Sequence, residues 1–289
     1  MTRVFDSLQN YFSFVKFSHT VFALPFAITG YFLAVSQEEY GFSLKILLLV
    51  ILCMVFARNA AMGFNRYADF KFDAINPRTA GREIPSGKIS RKSALLFVII
   101  NSLLFIVSAG FINRLTLILS PLALFIILGY SLTKRFTVLC HFILGLGLSL
   151  APSGAYISVT GHFDLVPVIY SFIVLTWVSG FDIIYSLGDD DFDRSANLYS
   201  IPAVKGRKKA LAISILLHIV TALLIVAAGI AGNSGFIFWT GAVIFILLLL
   251  YQHLIVSPGD IKRINIAFAT TNGIASVVFA AFVIADQFG

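Results

Sequence analysis

Residues Asn65 to Arg82 read NRYADFKFDAINPRTAGR, a polar stretch set between long apolar segments. Asn65, Asp69 and Asp73 recur every four residues. At about 100° per residue, each step of four drifts only about 40°, so the three project from one helix face over two turns. What that face meets depends on where it lies. The 289 residues are 58% hydrophobic and only 12% charged, with a mean hydropathy of +0.92. A soluble domain carries about a quarter charged residues. Runs of eighteen or more apolar residues recur along the chain, which is the mark of membrane-spanning helices. A β-barrel would show short alternating strands instead.

The expected fold is therefore all-α: a polytopic membrane protein with nine transmembrane helices around a central pocket opening to the cytoplasmic side. The spans fall near 19–36, 43–64, 93–112, 114–132, 137–159, 164–186, 209–231, 235–256 and 264–286. Residues 1–289 read as a single transmembrane domain, with cytoplasmic motif loops at about 65–92 and 187–208. Only Asn113 and Arg114 separate the third and fourth spans, which requires a tight hairpin. All of the 21 basic residues except Lys45, Arg58 and Arg114 fall on one side of this layout. The positive-inside rule makes that side cytoplasmic, with the N-terminus inside and the C-terminus outside. Topology accounts for the net charge of +7, and nucleic-acid binding is not needed. No small-residue cleavage site follows the first apolar segment, so it is expected to stay as a span. Cys53 and Cys140 lack metal-like spacing and read as small core residues.

A second stripe appears in DIIYSLGDDDFDRSANLYSIP, from Asp182 to Pro202. Asp182, Tyr185, Asp189 and Asp193 share one helical face at the end of the sixth span; Asp190 and Asp191 point elsewhere if the helix is unbroken, and Gly188 is a place for it to loosen. Two helix ends on the same side thus each present a column of carboxylates. A lone charged loop at a membrane surface is often simply solvated. Two motifs of matching period at the ends of apolar helices argue against that reading, because ionisable groups near the membrane are costly and usually functional. Carboxylates beside amides suit Mg²⁺, which is commonly held by one or two carboxylates while substrate phosphates complete its shell. Lys71, Arg78, Arg82, Lys134, Arg135 and Arg194 lie beside the columns and suit oxygen anions. Together these residues form the ingredients of a diphosphate–Mg²⁺ site.

The two motifs, NRYADFKFD and DIIYSLGDDDFD, resemble the N-x-x-x-D-x-x-x-D and D-x-x-Y-x-x-x-D-x-x-x-D motifs of the UbiA superfamily of intramembrane prenyltransferases. The resemblance covers essentially the whole chain. The flanks NPRTAGREIPSGKIS and YSLTKRFT are similar to the subgroup that prenylates aromatic acids such as 4-hydroxybenzoate, whose relatives act on naphthoate acids in menaquinone synthesis. It implies a polyprenyl diphosphate donor, an aromatic acid acceptor, Mg²⁺, and carbon–carbon bond formation for quinone biosynthesis in a bacterial inner membrane. It also implies that Asn65, Asp69 and Asp73 hold one metal–diphosphate contact and Asp189 and Asp193 the other. Asp182 and Tyr185, deeper in the helix, would face the reacting carbon or the acceptor.

The remaining candidates rest on weaker signals. Arg78 and Arg82 follow the first motif, where guanidinium forks suit diphosphate oxygens. Lys134 and Arg135 have three roles open to them: diphosphate, an aromatic carboxylate, or topology anchoring. Arg58 lies two turns inside the second span on the face of Met62, Asn65 and Asp69, and a lone arginine at that depth suggests a pocket role, paired with Asp182 or a substrate carboxylate. Lys16 and His19 are candidates to close the pocket from the first span, although His19 reads more readily as an interfacial residue. His141, His162, His218 and His253 are scattered and support no metal site. The 29 phenylalanines suit either a tail tunnel or lipid contact. Asn59 and the small-residue run from Gly145 to Ala155 suit close helix packing more than a substrate passage. Another prenyl acceptor would share both motifs. An ion-coupled transporter is the rival outside the enzymes, but its acids would sit near the midplane instead of at one face.

Overall fold

The apolar segments are helices throughout the computed structural model, which describes residues 11, 13–15 and 22–289. The candidate roles of Lys16 and His19 lie outside the described residues. In chain order the helices are α1 (Leu24–Val35), α2 (Leu44–Ala68), α3 (Phe70–Ile75), α4 (Arg91–Gly110), α5 (Arg114–Thr133), α6 (Cys140–Thr160), α7 (Leu165–Ser186), α8 (Asp190–Ser195), α9 (Ile201–Lys205), α10 (Arg207–Ala231), α11 (Phe236–Ile255) and α12 (Asn272–Asp286). Among the described residues eight helices are long and apolar enough to cross a membrane, and α1 is a shorter apolar helix of 12 residues. The nine expected hydrophobic segments thus all appear as helices. Within the described residues the first, expected at 19–36, is α1, which begins at Leu24 with Pro25 in its first turn, a position where the missing N–H costs nothing.

The turn between α4 and α5 is as tight as expected. Asn113 caps α5 by accepting from Thr116 N at 2.9 Å, and its amide reaches across to Ile157 O at 2.8 Å. The last span holds a feature the sequence did not signal, a π-helical turn at Ile266–Thr271 leading into α12. The Asn272 amide donates to Ala267 O and Phe268 O within that turn.

α7 is the most buried of the spans and the axis of the core. Its Trp177 ring meets Phe26, Phe181 and Phe245 edge-on or tilted at 5.0–5.6 Å between centroids. Between helices already surrounded by apolar groups, hydrogen bonds and close approach decide the pairing. Trp177 Nε1 donates to Asn272 Oδ1 (2.8 Å), Asn59 Nδ2 to Asn101 Oδ1 (3.0 Å), and Thr176 and Thr221 share a bond of 2.8 Å. Asn59 is therefore a packing residue, as its sequence context suggested.

Gly145 serves the same purpose between α6 and α7. A Cβ there would stand 2.5 Å from both Leu175 O and Ser179 Oγ, whereas a Cβ at Gly154 meets nothing within 4 Å. Gly145→Ala is expected to force α6 from α7 at a cost of about 1–3 kcal/mol. Thermal unfolding in detergent should show a lowered midpoint for Gly145→Ala and an unchanged or raised one for Gly154→Ala, where alanine's better helix propensity meets no clash; equal midpoints would rule out the packing role.

Candidate functional site

Both motif helices break at the same point. α2 ends at Ala68, Asp69 follows with φ −87° and ψ 6°, and α3 resumes at Phe70. α7 ends at Ser186, a turn carries the chain to Asp189 with φ −118° and ψ 3°, and α8 starts at Asp190. The unbroken helical stripes expected from the spacing are therefore kinked at their middle aspartates. After each kink the four-residue spacing resumes, since Asp73 N donates to Asp69 O and Asp193 N to Asp189 O, each at 2.8 Å; across the first kink Asp69 N still reaches Asn65 O at 2.9 Å, whereas across the second Asp189 N turns to Ser186 O at 3.1 Å. Each short helix keeps its aspartates in the first turn, where the positive helix end favours them. Asp190 points away from the stripe, as expected, and is held by the two-pronged fork of Arg207 at 2.7 and 2.8 Å.

The kinks turn both motifs toward one polar cavity of about 270 Å³. It is lined by Arg58, Asn65, Asp69, Asp73, Arg78, Arg82, Lys134, Arg135, Asp182, Tyr185, Asp189 and Asp193, whereas Lys71 and Arg194, which also suited oxygen anions by their place in the sequence, are not in its wall. The carboxylates do not form a ready cage: among the described residues no three metal-ligating side chains gather closely enough to hold an ion. Each one faces a cation or a histidine instead. Asp73 pairs with Arg82 at 2.6 Å, Asp69 with Arg135 at 3.1 Å, and Asp193 with Lys134 at 2.7 Å. Arg78 crosses from the first motif loop to Asp189 of the second, and its guanidinium lies 5.0 Å from the centre of the Tyr185 ring. Tyr185 stacks on Phe268 of the π-helical turn at 4.0 Å.

Burial leaves these acids under-compensated. Asp73 is 5% exposed, and its Oδ2 is buried without a hydrogen-bond partner. Burial lifts the Asp69 carboxyl above its ordinary pKa, and the bond and charge of Arg135 offset that only in part. Burial lifts Asp193 likewise, against the pull of Lys134 and Ser200. Further positive charge beside them would be stabilising.

Two expectations need correction. Arg58 does not pair with Asp182: its Nε is buried without a partner, and no described carboxylate lies within ion-pair distance of it. Asp182 is engaged by His141 instead, Nδ1 to Oδ2 at 2.7 Å. Because His141 Nε2 accepts from Ile201 N (3.2 Å), its Nδ1 carries the proton that Asp182 receives. The histidines are also less scattered than their spacing suggested, since His218 and His253 meet at 2.8 Å between α10 and α11. His141 and Asp182 lie 41 residues apart, and no periodicity links them. Asn76 was missed too. It is buried, donates to Asp189 at 3.5 Å, and accepts from Arg78 N at 2.9 Å, fixing the loop that carries Arg78.

A second cavity of about 470 Å³ adjoins the first and shares Arg58, Met62, Tyr130, Leu144 and Leu148 with it. Its remaining wall is mostly aliphatic and small, including Ala57, Ile126, Gly147, Ala151 and Gly154. The run from Gly145 to Ala155 thus serves packing at Gly145 and lines a chamber beyond it. Few phenylalanines take part: Phe105, Phe163 and Phe172 border this cavity, and the last two are exposed on the outer surface. Cys53 lines the chamber and Cys140 is buried; neither forms a disulfide.

Residues 23–281 match the UbiA prenyltransferase family. The chain is 32% identical to a 4-hydroxybenzoate octaprenyltransferase of Nitrosospira multiformis over 244 residues, 83% of each protein. It is 30% identical to the 4-hydroxybenzoate octaprenyltransferase of Aliivibrio fischeri over 239 residues, 82% of each. Among solved structures, a UbiA homologue from Aeropyrum pernix superimposes with a TM-score of 0.83 at 34% identity, covering 93% of this chain and 98% of that one. One from Archaeoglobus fulgidus, bound to GPP and Mg²⁺, shares the fold with a TM-score of 0.71 at 22% identity over 97% of this chain and 100% of its own. With two motifs at one polar cavity, this architecture and these relatives, the chain is an integral membrane protein that belongs to the UbiA prenyltransferase family.

Proposed function

We propose that this enzyme transfers a polyprenyl group from its diphosphate to an aromatic acid such as 4-hydroxybenzoate, forming a carbon–carbon bond for quinone biosynthesis. The observation that carries this reading is the wall at Arg58 and Tyr130, which a charged cavity and an apolar one share. A prenyl diphosphate has the same two halves. The names of the relatives from Nitrosospira and Aliivibrio support the acceptor.

The residues divide the work by chemistry. Arg78, Arg82, Lys134 and Arg135 would exchange their carboxylate partners for diphosphate oxygens. The carboxylates so released, Asp69 and Asp73 with Asn65 on one side and Asp189 and Asp193 on the other, fit Mg²⁺: they are oxygen donors, under-compensated by burial, with a free oxygen on Asp73. When bound there, Mg²⁺ supplies positive charge that favours departure of diphosphate. The C–O bond to the prenyl carbon breaks with its electron pair leaving on diphosphate, the aromatic ring attacks that carbon, and the ring then loses a proton. Once Arg78 turns to the diphosphate, the Tyr185 face it covers would stabilise the developing allylic cation. Asp182, its Oδ2 held by His141 Nδ1–H, would take the departing proton. Arg58, with its unpartnered Nε, would anchor the acceptor carboxylate. The apolar walls of the chamber exclude the water that would otherwise trap the cation. The motif end faces the cytoplasm of the bacterial inner membrane in this reading, because the basic loops lie there, and the whole chain acts as one domain.

The function is tested by incubating detergent-solubilised protein with Mg²⁺, a long-chain polyprenyl diphosphate, and either 4-hydroxybenzoate or 1,4-dihydroxy-6-naphthoate. Mass spectrometry should find prenylated 4-hydroxybenzoate, absent when EDTA is added. Product from the naphthoate alone would move the enzyme to menaquinone synthesis, and product from neither would overturn the aromatic-acid reading. Asp69→Ala and Asp189→Ala should each lower turnover by about 10²-fold or more while the protein remains folded and monodisperse; normal activity in both would remove the metal assignment. Arg58→Leu should raise KM for the aromatic acid by about tenfold or more with little change for the diphosphate. Equal change in both would assign Arg58 to structure.

A further inference from the structure

The cations of the polar cavity are not equivalent. Arg78, Arg82, Lys134 and Arg135 are each within ion-pair distance of a carboxylate. Arg66, in the last turn of α2, lines the same cavity and has none. It is only 3% exposed, and both its Nε and its Nη1 are buried without a hydrogen-bond partner. Leaving buried donors of a charged group unmet is expensive. The lysines and arginines around it cannot lower that cost, and neither neighbouring carboxylate bonds to it. Asp73 Oδ1 pairs with Arg82 and Glu83 Oε1 accepts from Ser13 at 2.6 Å, while the second oxygen of each acid is itself buried without a partner. In the sequence Arg66 is only one of the many basic residues on the motif side.

We propose that Arg66 is a further positioning residue that holds oxygens of the diphosphate, resting on the prenyl-transfer reading of this cavity. Two features favour diphosphate over the acceptor's carboxylate. The free donors, Nε and the Nη1 nitrogen, point to different sides of the guanidinium plane's outline. A planar carboxylate presents two oxygens along one edge and can meet only one side. A diphosphate distributes its oxygens over two tetrahedra and can meet both. Position argues the same way: Arg66 shares the cavity wall with Asp73, Thr79 and Arg82, at the charged end, whereas Arg58 lies where that cavity meets the apolar chamber.

The test compares wild type, Arg66→Gln, Arg66→Lys and Glu83→Gln, each shown to be folded and monodisperse in detergent. Two quantities are read: the dissociation constant for inorganic pyrophosphate with Mg²⁺, by equilibrium binding, and the KM values for prenyl diphosphate and aromatic acid. Arg66→Gln should weaken pyrophosphate binding and raise the prenyl diphosphate KM by about tenfold or more, leaving the aromatic acid KM unchanged. Arg66→Lys should restore part of the loss, because it keeps the charge without the spread of donors. Unchanged pyrophosphate binding in Arg66→Gln, beside normal binding in wild type, would overturn the assignment while leaving the prenyl-transfer reading intact. The same shift in Glu83→Gln would also overturn it, since Arg66 would then act through Glu83. Failure of wild type to bind pyrophosphate at all would overturn both.

Discussion

Charge placed at the end of an apolar helix has to be neutralised locally, and that constraint organises this molecule. Isolated carboxylates at the depth of Asp73 and Asp193 would be several kcal/mol unfavourable. The chain answers with partners drawn from distant segments. Lys134 and Arg135, between α5 and α6, reach the second and first motifs respectively, and Arg78 ties the first motif loop to the second. The same contacts that neutralise the acids therefore hold four segments of chain around one cavity. Removing one partner leaves a buried charge behind, which is why such networks are stable only when complete.

The matching kinks make this arrangement possible. A straight helix from Leu44 to Ile75 would carry Asp73 up and away from the core. The break at Asp69 folds α3 over, and the break before Asp189 does the same for α8. Two apolar spans end in the same way, with a middle aspartate in the bridge region of backbone space and a third in a short helix. The correspondence between the second and sixth expected spans is thus repeated in backbone geometry.

How much of this was legible in the sequence follows from the range of each interaction. Hydropathy over twenty residues is a local property, and it located the spans to within a few residues. The motif stripes depend on spacing within one segment, so Asn65, Asp69, Asp73, Asp182, Tyr185, Asp189 and Asp193 could be named without a structure. The kink at Asp69 could not, because a period of four reads identically through a helix that bends there while Asp69 N keeps its bond to Asn65 O; the second kink had a local signal in Gly188, and the chain turns beside it. Pairings across the chain were beyond reach in the same way. Asp182 and Arg58 invited pairing because both lay deep, yet α6 brings His141 to Asp182 and leaves Arg58 free. Composition left the phenylalanines open between tunnel and lipid: small and branched aliphatic residues, which leave space, form most of the chamber wall, and several aromatic rings fill the core around Trp177.

The pairing of acids with bases also decides where binding energy comes from in the proposed reaction. A diphosphate entering the polar cavity must separate ion pairs before it can use their cations, so much of its electrostatic attraction is offset by attraction lost. Burial of an isoprenoid tail carries no such offset, and each CH₂ removed from water contributes about 0.8 kcal/mol; for a tail arriving from lipid the gain is smaller, because lipid is already apolar. The chamber then acts chiefly by fixing where the tail lies, and hence where the first prenyl carbon sits relative to Tyr185 and Asp182. Position costs the chemical step little when it is set by packing, and effective molarity rewards it. A cavity with its charges pre-paired and its tail chamber pre-formed therefore spends remote contacts on orientation at the reacting carbon, which is the use of binding energy that raises turnover.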